Sequence, residues 1–322
     1  MPETMEIKIH ELNTEEFIKV KSEEISKLVR QGLAINALSG GVDSSVVTML
    51  GHRALGGRLK TYFIDNGIMR KDEPQEIASI FRTLGVNVEI VDAKDRFFKA
   101  LRGITDPEEK RESITQTFYK DVFAGLVRES KAKYLLQGTI LTDIDETVAG
   151  IKRQHNVFEQ LGIDPQEAFG YKIIEPLVQL RKDGVRKLAQ ALGLPESIYN
   201  RMPFPGPALA ARIIGEVTPE KIEIVRSATV ILEEELKGSR AFQYLAILHN
   251  DRVTGMRNGK RDFGMQIEIR SWDSLDARKA MPTNISFDKL NLLSNRIVTE
   301  VAGVVSVTYN IASKPPSTME AI

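Results

Sequence analysis

One run of six residues, Leu33-Ala34-Ile35-Asn36-Ala37-Leu38, constrains this chain more than any other feature. It is short and apolar, as a strand buried on both faces of a parallel sheet must be. Helical sequence flanks it. Before it, Asn13-Thr14-Glu15-Glu16 forms a capping box followed by a partial stripe of Phe17, Ile18, Ile25, Leu28 and Val29, ended by Gly32. After it, a glycine-containing loop leads into a helix from Ser44 to Leu55. The unit then repeats, with a strand at Thr61–Ile64, a helix at Glu73–Leu84 and a strand at Val86–Val91. Helical sequence dominates from Asp92 to Lys131, with Asp106-Pro107-Glu108-Glu109 as a helix start, and Tyr134–Gln137 supplies a further strand. Alternation of this kind predicts an α/β fold with an open, doubly wound parallel sheet.

The character changes after Tyr199. Arg201-Met202-Pro203-Phe204-Pro205-Gly206-Pro207 cannot continue a helix and reads as an extended, proline-stiffened segment. A helix (Pro219–Leu236), two strands (Phe242–Leu248 and Phe263–Arg270), a helix (Phe287–Val301) and a last strand (Val304–Ile311) are expected beyond it. That pattern predicts a smaller α+β domain over residues 201–322, after a first domain over residues 1–200.

Composition removes several classes of function. Forty-four basic side chains balance forty-four acidic ones, so the basic excess of a nucleic-acid binder is missing. No run approaches the roughly 18 apolar residues of a membrane span, and Met-Pro-Glu-Thr-Met-Glu lacks the basic-then-apolar order of a signal peptide. There is no cysteine, hence no disulfide, thiolate metal site or Cys nucleophile. The four histidines are too scattered to suggest a local zinc site. A cytoplasmic location is expected.

Ser39-Gly40-Gly41-Val42-Asp43-Ser44-Ser45 joins the first strand to its helix. Two glycines allow positive φ and turn backbone N–H groups inward as an anion nest. The following helix adds its dipole and unpaired N–H groups, a combination that holds phosphate. The three serine hydroxyls are able to donate to phosphate oxygens. Asp43 beside a phosphate requires an intervening cation, for which Mg²⁺ is the natural choice. Taken as a tetrapeptide, Gly-Gly-x-Asp is only a turn; the heptapeptide at a strand–helix junction is what points to function. No Walker A sequence occurs, and the loop lacks a lysine reaching for the outer phosphates, which suggests cleavage between the α and β phosphates.

The heptapeptide resembles the pyrophosphate loop of the N-type ATP pyrophosphatases, with their adenine nucleotide alpha hydrolase-like fold. Other segments resemble the ATP pyrophosphatase part of GMP synthetases. They are Phe63-Ile64-Asp65-Asn66-Gly67 with Arg70-Lys71, Asp95-Arg96-Phe97-Phe98, Gly103 to Arg111, Gln137-Gly138-Thr139, Arg201 to Pro207, Gly215-Glu216-Val217-Thr218 and Ser313 to Glu320. They run in family order over nearly the whole chain.

The resemblance implies a ligase that adenylylates xanthosine 5′-monophosphate with ATP, releases pyrophosphate, and lets ammonia displace AMP to give GMP. It implies that Ser39, Gly40, Gly41, Asp43, Ser44 and Ser45 hold the ATP phosphates and Mg²⁺, with Gln137, Gly138 and Thr139 at the same sheet edge. Lys71 would reach the outer phosphates, its alternative being a solvated surface lysine. Asp143 and Glu146 fall three apart on a helical turn, where they either assist the metal or form an ordinary surface pair. Arg201, Pro205, Gly206, Pro207, Arg212, Lys314, Thr318 and Glu320 would form the substrate side, with Glu320 accepting from a purine edge and Lys314 meeting the phosphate. The smaller domain would build a homodimer. With 38 residues ahead of Ser39 and no cysteine, the chain is not expected to hydrolyse glutamine. A separate glutaminase (glutamine amidotransferase) subunit in trans, or free ammonia, is therefore the expected nitrogen source.

Departures from the family pattern cluster on the acceptor side. Arg153-Gln154-His155-Asn156-Val157-Phe158 stands for His-His-Asn-Val-Gly-Gly, and Pro205-Gly206-Pro207-Ala208 puts a methyl group where a glycine is free to take positive φ. Lys182-Asp183-Gly184-Val185-Arg186 lacks the usual glutamate, and Asp276 to Pro282 replaces a longer stretch. Two other readings therefore accompany the first: a paralogue that activates a different carbonyl or carboxyl compound, and a catalytically silent nucleotide-binding partner.

Overall fold

A computed structural model of the chain describes residues 5–148, 171–257, 259–275 and 277–321. The departures at Arg153–Phe158 and at Asp276 lie outside the described residues. The chain divides into two compact units.

The first unit takes residues up to Asp65, Glu73–Asp92 and Phe118–Arg201. Among the described residues its sheet has five strands: β1 (Ala34–Ala37), β2 (Leu59–Asp65), β3 (Val88–Asp92), β4 (Tyr134–Leu136) and β5 (Lys172–Ile174). All pairings are parallel and the order is β3-β2-β1-β4-β5. The expected α/β architecture is therefore present, with one strand, β5, that the sequence did not announce. Asn13 caps the helix Thr14–Val29, its side-chain oxygen accepting from the Glu16 N–H. Ile35, Val46, Leu50, Phe63 and Phe81 are each at most 1% exposed and form the centre of the core. Each such side chain contributes on the order of 2 kcal/mol relative to exposure.

The strand order decides where a ligand fits. From β1 the chain builds outward through β2 and β3, then crosses to the other side of β1 for β4 and β5. The connections leaving β1 and β4 therefore diverge and open a crevice at the carboxyl ends of those two neighbouring strands.

The long helical stretch after Asp92 is broken into Lys94–Leu101, Pro107–Gln116, a π-helical turn over Thr117–Phe123, and Ala124–Ser130. Its first part belongs to the second unit, which comprises Asn66–Asp72, Ala93–Thr117 and the chain from Met202 onward. A single cut at residue 200 would have left the two earlier segments with the first domain.

In the second unit β6 (Gln243–Arg257) and β7 (Lys260–Asp273) form a long antiparallel hairpin, with a register shift between Leu248 and Arg252. Its outer half carries polar residues, so the expected strands stopped short. The other edge of β7 pairs antiparallel with β8 (Met281–Pro282) and parallel with β9 (Val304–Tyr309). Two helices, Pro219–Glu235 and Phe287–Glu300, are capped by the hydroxyls of Thr218 and Ser286. Leu245, Ile247, Trp272, Ala280 and Met319 pack together in its core. No helix among the described residues is long and apolar enough to cross a membrane.

Candidate active site

The loop after β1 and the strand end of β4 meet at the crevice that the topology opens. A cavity of about 370 Å³ lies there, within the size range of small-ligand sites. Ser39, Gly41, Asp43 and Ser44 line it from the first loop, Gln137, Gly138, Thr139 and Asp143 from the second. Phe118, Tyr119 and Phe123 of the π-helical turn supply an aromatic wall. Burial pushes the Tyr119 hydroxyl up to about 12, so it stays protonated at neutral pH.

Local hydrogen bonds fix the loop. Gly40 takes φ +75°, and a Cβ there would meet the Arg201 guanidinium at 2.9 Å. The Ser39 and Ser44 hydroxyls lie 2.9 Å apart, and Ser44 donates to the Gly41 carbonyl at 3.0 Å. Gly41 starts the helix Val42–Leu55 with no side-chain cap, so the first-turn N–H groups are left for a ligand. Beneath the loop, Asn36 on β1 donates to Thr48 at 2.6 Å and accepts from Thr61 at 2.8 Å. Thr48 donates onward to the Ser44 carbonyl at 2.7 Å. This buried relay ties the loop helix to two strands. Gly138 is equally constrained, because a Cβ would stand 3.2 Å from the backbone of Asp43 and Ser44.

Asp43 is the electrostatic centre. Lys182 Nζ donates to its Oδ2 at 2.6 Å, whereas Oδ1 is buried with no hydrogen-bond partner among the described residues. Desolvation pushes the carboxyl above its usual range, against the pull of Lys182, and the negative field of Asp143 adds to the rise. A buried carboxylate oxygen without a donor among the described residues, in the negative field of a second acid, is what a hard divalent cation relieves. Mg²⁺ needs only one or two protein carboxylates when phosphates complete its shell, so the residues present fit it. The side chain of Glu146 lies outside the described residues.

Three further expected site residues have surroundings of their own. Ser45 is fully buried on the helix and does not line the cavity, since the next position is turned about 100° from Ser44. Arg201, expected beside the acceptor, packs against the glycine turn, donating to the Gly40 carbonyl at 3.2 Å and pairing with Glu73. Lys71 belongs to the second unit, where it is exposed.

The other residues expected on the acceptor side all belong to the second unit. Arg212 is buried, forms a two-pronged pair with Glu320 at 3.2 and 3.3 Å, and approaches the Phe204 ring at 5.1 Å. Gln243 donates to Glu320 at 2.9 Å and to the Pro203 carbonyl at 3.2 Å. Glu320 thus spends both oxygens inside the chain, where a purine edge had been expected. Thr318 is exposed and donates to the Glu320 carbonyl, and Lys314 donates to the Ala277 carbonyl at 2.8 Å. Pro205 and Pro207 accept from Ala208 and Ala210, bracketing the exposed Gly206. Ala208 takes φ +51°, so the methyl group does stand in the left-handed region.

Residues 231–321 match the GMP synthase C terminal domain, and residues 35–162 match the asparagine synthase domain. The chain is also similar to curated subunits of glutamine-hydrolysing GMP synthases. That of Archaeoglobus fulgidus is 47% identical over 309 residues, 96% of this chain and 99% of its own. That of Pyrococcus furiosus is 48% identical over 95% of this chain and 97% of its own; that of Methanosarcina barkeri is 48% identical over 95% and 98%. The chain belongs to this family of GMP synthase subunits. It is accordingly a ligase that uses ATP.

Sequence reasoning missed Lys182. Its sequence is Lys-Asp-Gly-Val-Arg at a helix start, and nothing local signals a partner 139 residues away. It also missed Asn36, which reads as one more member of an apolar strand.

Proposed function

We propose that the chain catalyses the ATP-dependent amination of xanthosine 5′-monophosphate. O2 of the base attacks the α-phosphorus of ATP, pyrophosphate leaves, and ammonia then displaces AMP from C2 to give GMP. The observation that carries this reading is the Oδ1 of Asp43, unpartnered among the described residues, beside a glycine turn at the β1–β4 crevice. That arrangement suits a cation-bridged triphosphate better than any neutral ligand.

Ser39, Gly41 and Ser44 would take the phosphates through hydroxyl and backbone N–H groups. Asp43, with Asp143, would hold Mg²⁺, which when bound supplies neutralisation of the pyrophosphate leaving group. Ser45 would act only by packing, and Arg201 by bracing the turn. Lys71 is proposed for the outer phosphates. Phe118, Tyr119 and Phe123 offer apolar surface to the ring that accompanies them. Pro205, Gly206, Pro207, Lys314 and Thr318 are proposed to contact the acceptor, with Arg212 and Glu320 holding the tail in place. Positioning and charge neutralisation account for the chemistry, without a covalent enzyme intermediate.

A chain without cysteine carries no thiol to open glutamine. The curated relatives are named as one subunit of a glutamine-hydrolysing enzyme, which supports a separate glutaminase subunit supplying ammonia. A homodimer is proposed through the β6–β7 hairpin, whose Met256 and Phe263 are 69% and 59% exposed. A cytoplasmic location is proposed on the same chemistry, since nucleotide substrates are found there.

Purified protein given ATP, Mg²⁺, ammonium and xanthosine 5′-monophosphate should yield GMP, AMP and pyrophosphate in equal amounts. With glutamine replacing ammonium and no second subunit, GMP should not form. ADP as product, or ATP cleavage only with other acceptors, would overturn the assignment.

A further inference from the structure

Asp43 already has a cation, and the chain supplies it. Lys182 is the first residue of the helix Lys182–Ala191 and reaches Oδ2 at 2.6 Å. Arg186, one turn along, adds a second positive field on the same carboxylate. The ammonium serves one oxygen and leaves Oδ1 without a donor among the described residues. The Lys182 side chain is 45% exposed and that of Asp43 25%, so the contact opens to water without disturbing packed residues. Asp143 lies on the cavity wall, where it adds negative charge that a single ammonium does not neutralise.

We propose that Lys182 is a stand-in for the divalent ion. It orients Asp43 before nucleotide binds, and it yields Oδ2 when metal and triphosphate arrive together. This rests on the reading of Asp43 as a metal ligand. A bare ion must push the ammonium out into water and then sit beside it, at a Coulomb cost. An ion arriving with a triphosphate brings anionic oxygens that repay the displaced ammonium. Lys182 is thus a positioning residue that makes metal entry depend on nucleotide entry. Without it the site would collect free divalent ions.

The test is Mn²⁺ binding to the full chain, followed by the electron paramagnetic resonance of free Mn²⁺, with and without α,β-methylene-ATP. Lys182→Met and Lys182→Gln should bind Mn²⁺ alone about three- to tenfold more tightly than the wild type, the range expected for removing a partly exposed competing charge. Lys182→Arg should restore the weak binding, and with the analogue present the advantage of the neutral variants should shrink or reverse. Circular dichroism confirms that each variant is folded. Equal or weaker Mn²⁺ binding by both neutral variants would overturn the proposal while leaving Asp43 as a ligand. If Asp43→Asn leaves Mn²⁺ binding unchanged, or if no protein binds Mn²⁺ with or without the analogue, both readings fall.

Discussion

Arg212 and Glu320, 108 residues apart, form a two-pronged ion pair around a guanidinium that is 1% exposed. Two prongs at 3.2 and 3.3 Å fix the carboxylate in the guanidinium plane, and Gln243 occupies what remains of Oε1. Breaking one side leaves a buried charge without its counterion. Glu320→Ala should therefore cost about 3 kcal/mol in urea unfolding. Adding Arg212→Met to it should recover most of that loss. A single variant as stable as the wild type would show that the pair does not hold the tail.

Asp43 should separate activity from stability. Its Oδ1 is buried without a donor among the described residues, and burial pushes the carboxyl up. Asp43→Asn should lower ATP–pyrophosphate exchange by at least about a hundredfold, as loss of a metal and charge-stabilising group does. Unfolding free energy should stay within about 1 kcal/mol, because the exposed Lys182 is rehydrated when its partner goes. Exchange at the wild-type rate would remove Asp43 from the site.

Gly138 tests the closeness of the two loops. A methyl group there would meet the backbone of Asp43 and Ser44 at 3.2 Å, and backbone yields less readily than a side-chain end. Gly138→Ala should raise the KM for ATP about tenfold, the cost of moving a phosphate loop by a few tenths of an ångström, with little change in melting temperature. Calorimetric titration of an ATP analogue would read the same shift.

Lys110 gives a pH signature. Its Nζ is buried, donates to the Ile213 carbonyl at 2.8 Å, and is lowered to about 8 by desolvation, then by Lys221, against an opposing pull from Asp106. A lysine depressed in the folded state holds fewer protons there than in the unfolded chain between about pH 8 and 10.5. Stability should therefore rise with pH across that window, by on the order of 2–3 kcal/mol relative to Lys110→Met. Urea midpoints of the two proteins from about pH 7.5 to 10 would show it. Parallel curves would mean that the amine keeps its proton.

Ala208 sits at φ +51°, and left-handed backbone costs a residue with a Cβ about 1–2 kcal/mol. Ala208→Gly should stabilise the protein by about 0.5–1 kcal/mol, the rest being lost to the greater freedom of the unfolded chain. A lower unfolding midpoint would place the strain elsewhere.

What the sequence disclosed was whatever short range decides. The Asn13 cap, the apolar β1 and the glycine turn after it all depend on neighbours within a few residues, and each stands where its pattern puts it. The positive φ at residue 208 was suggested instead by the glycine that the resembled family carries there, since alanine itself gives no such signal. Lys182 on Asp43, Arg201 on the Gly40 turn and Arg212 on Glu320 join residues more than a hundred apart, and charge alone does not choose among so many candidate partners. β5 is three residues long, too short for periodicity to register. The outer half of the β6–β7 hairpin is rich in polar residues, so no clean alternation marks its reach.

The parting of β1 and β4 makes the cavity a property of the backbone. A hollow made by the route of the main chain survives the loss of any one side chain that lines it. A substitution on one wall therefore changes what the hollow fits before it changes whether the hollow exists.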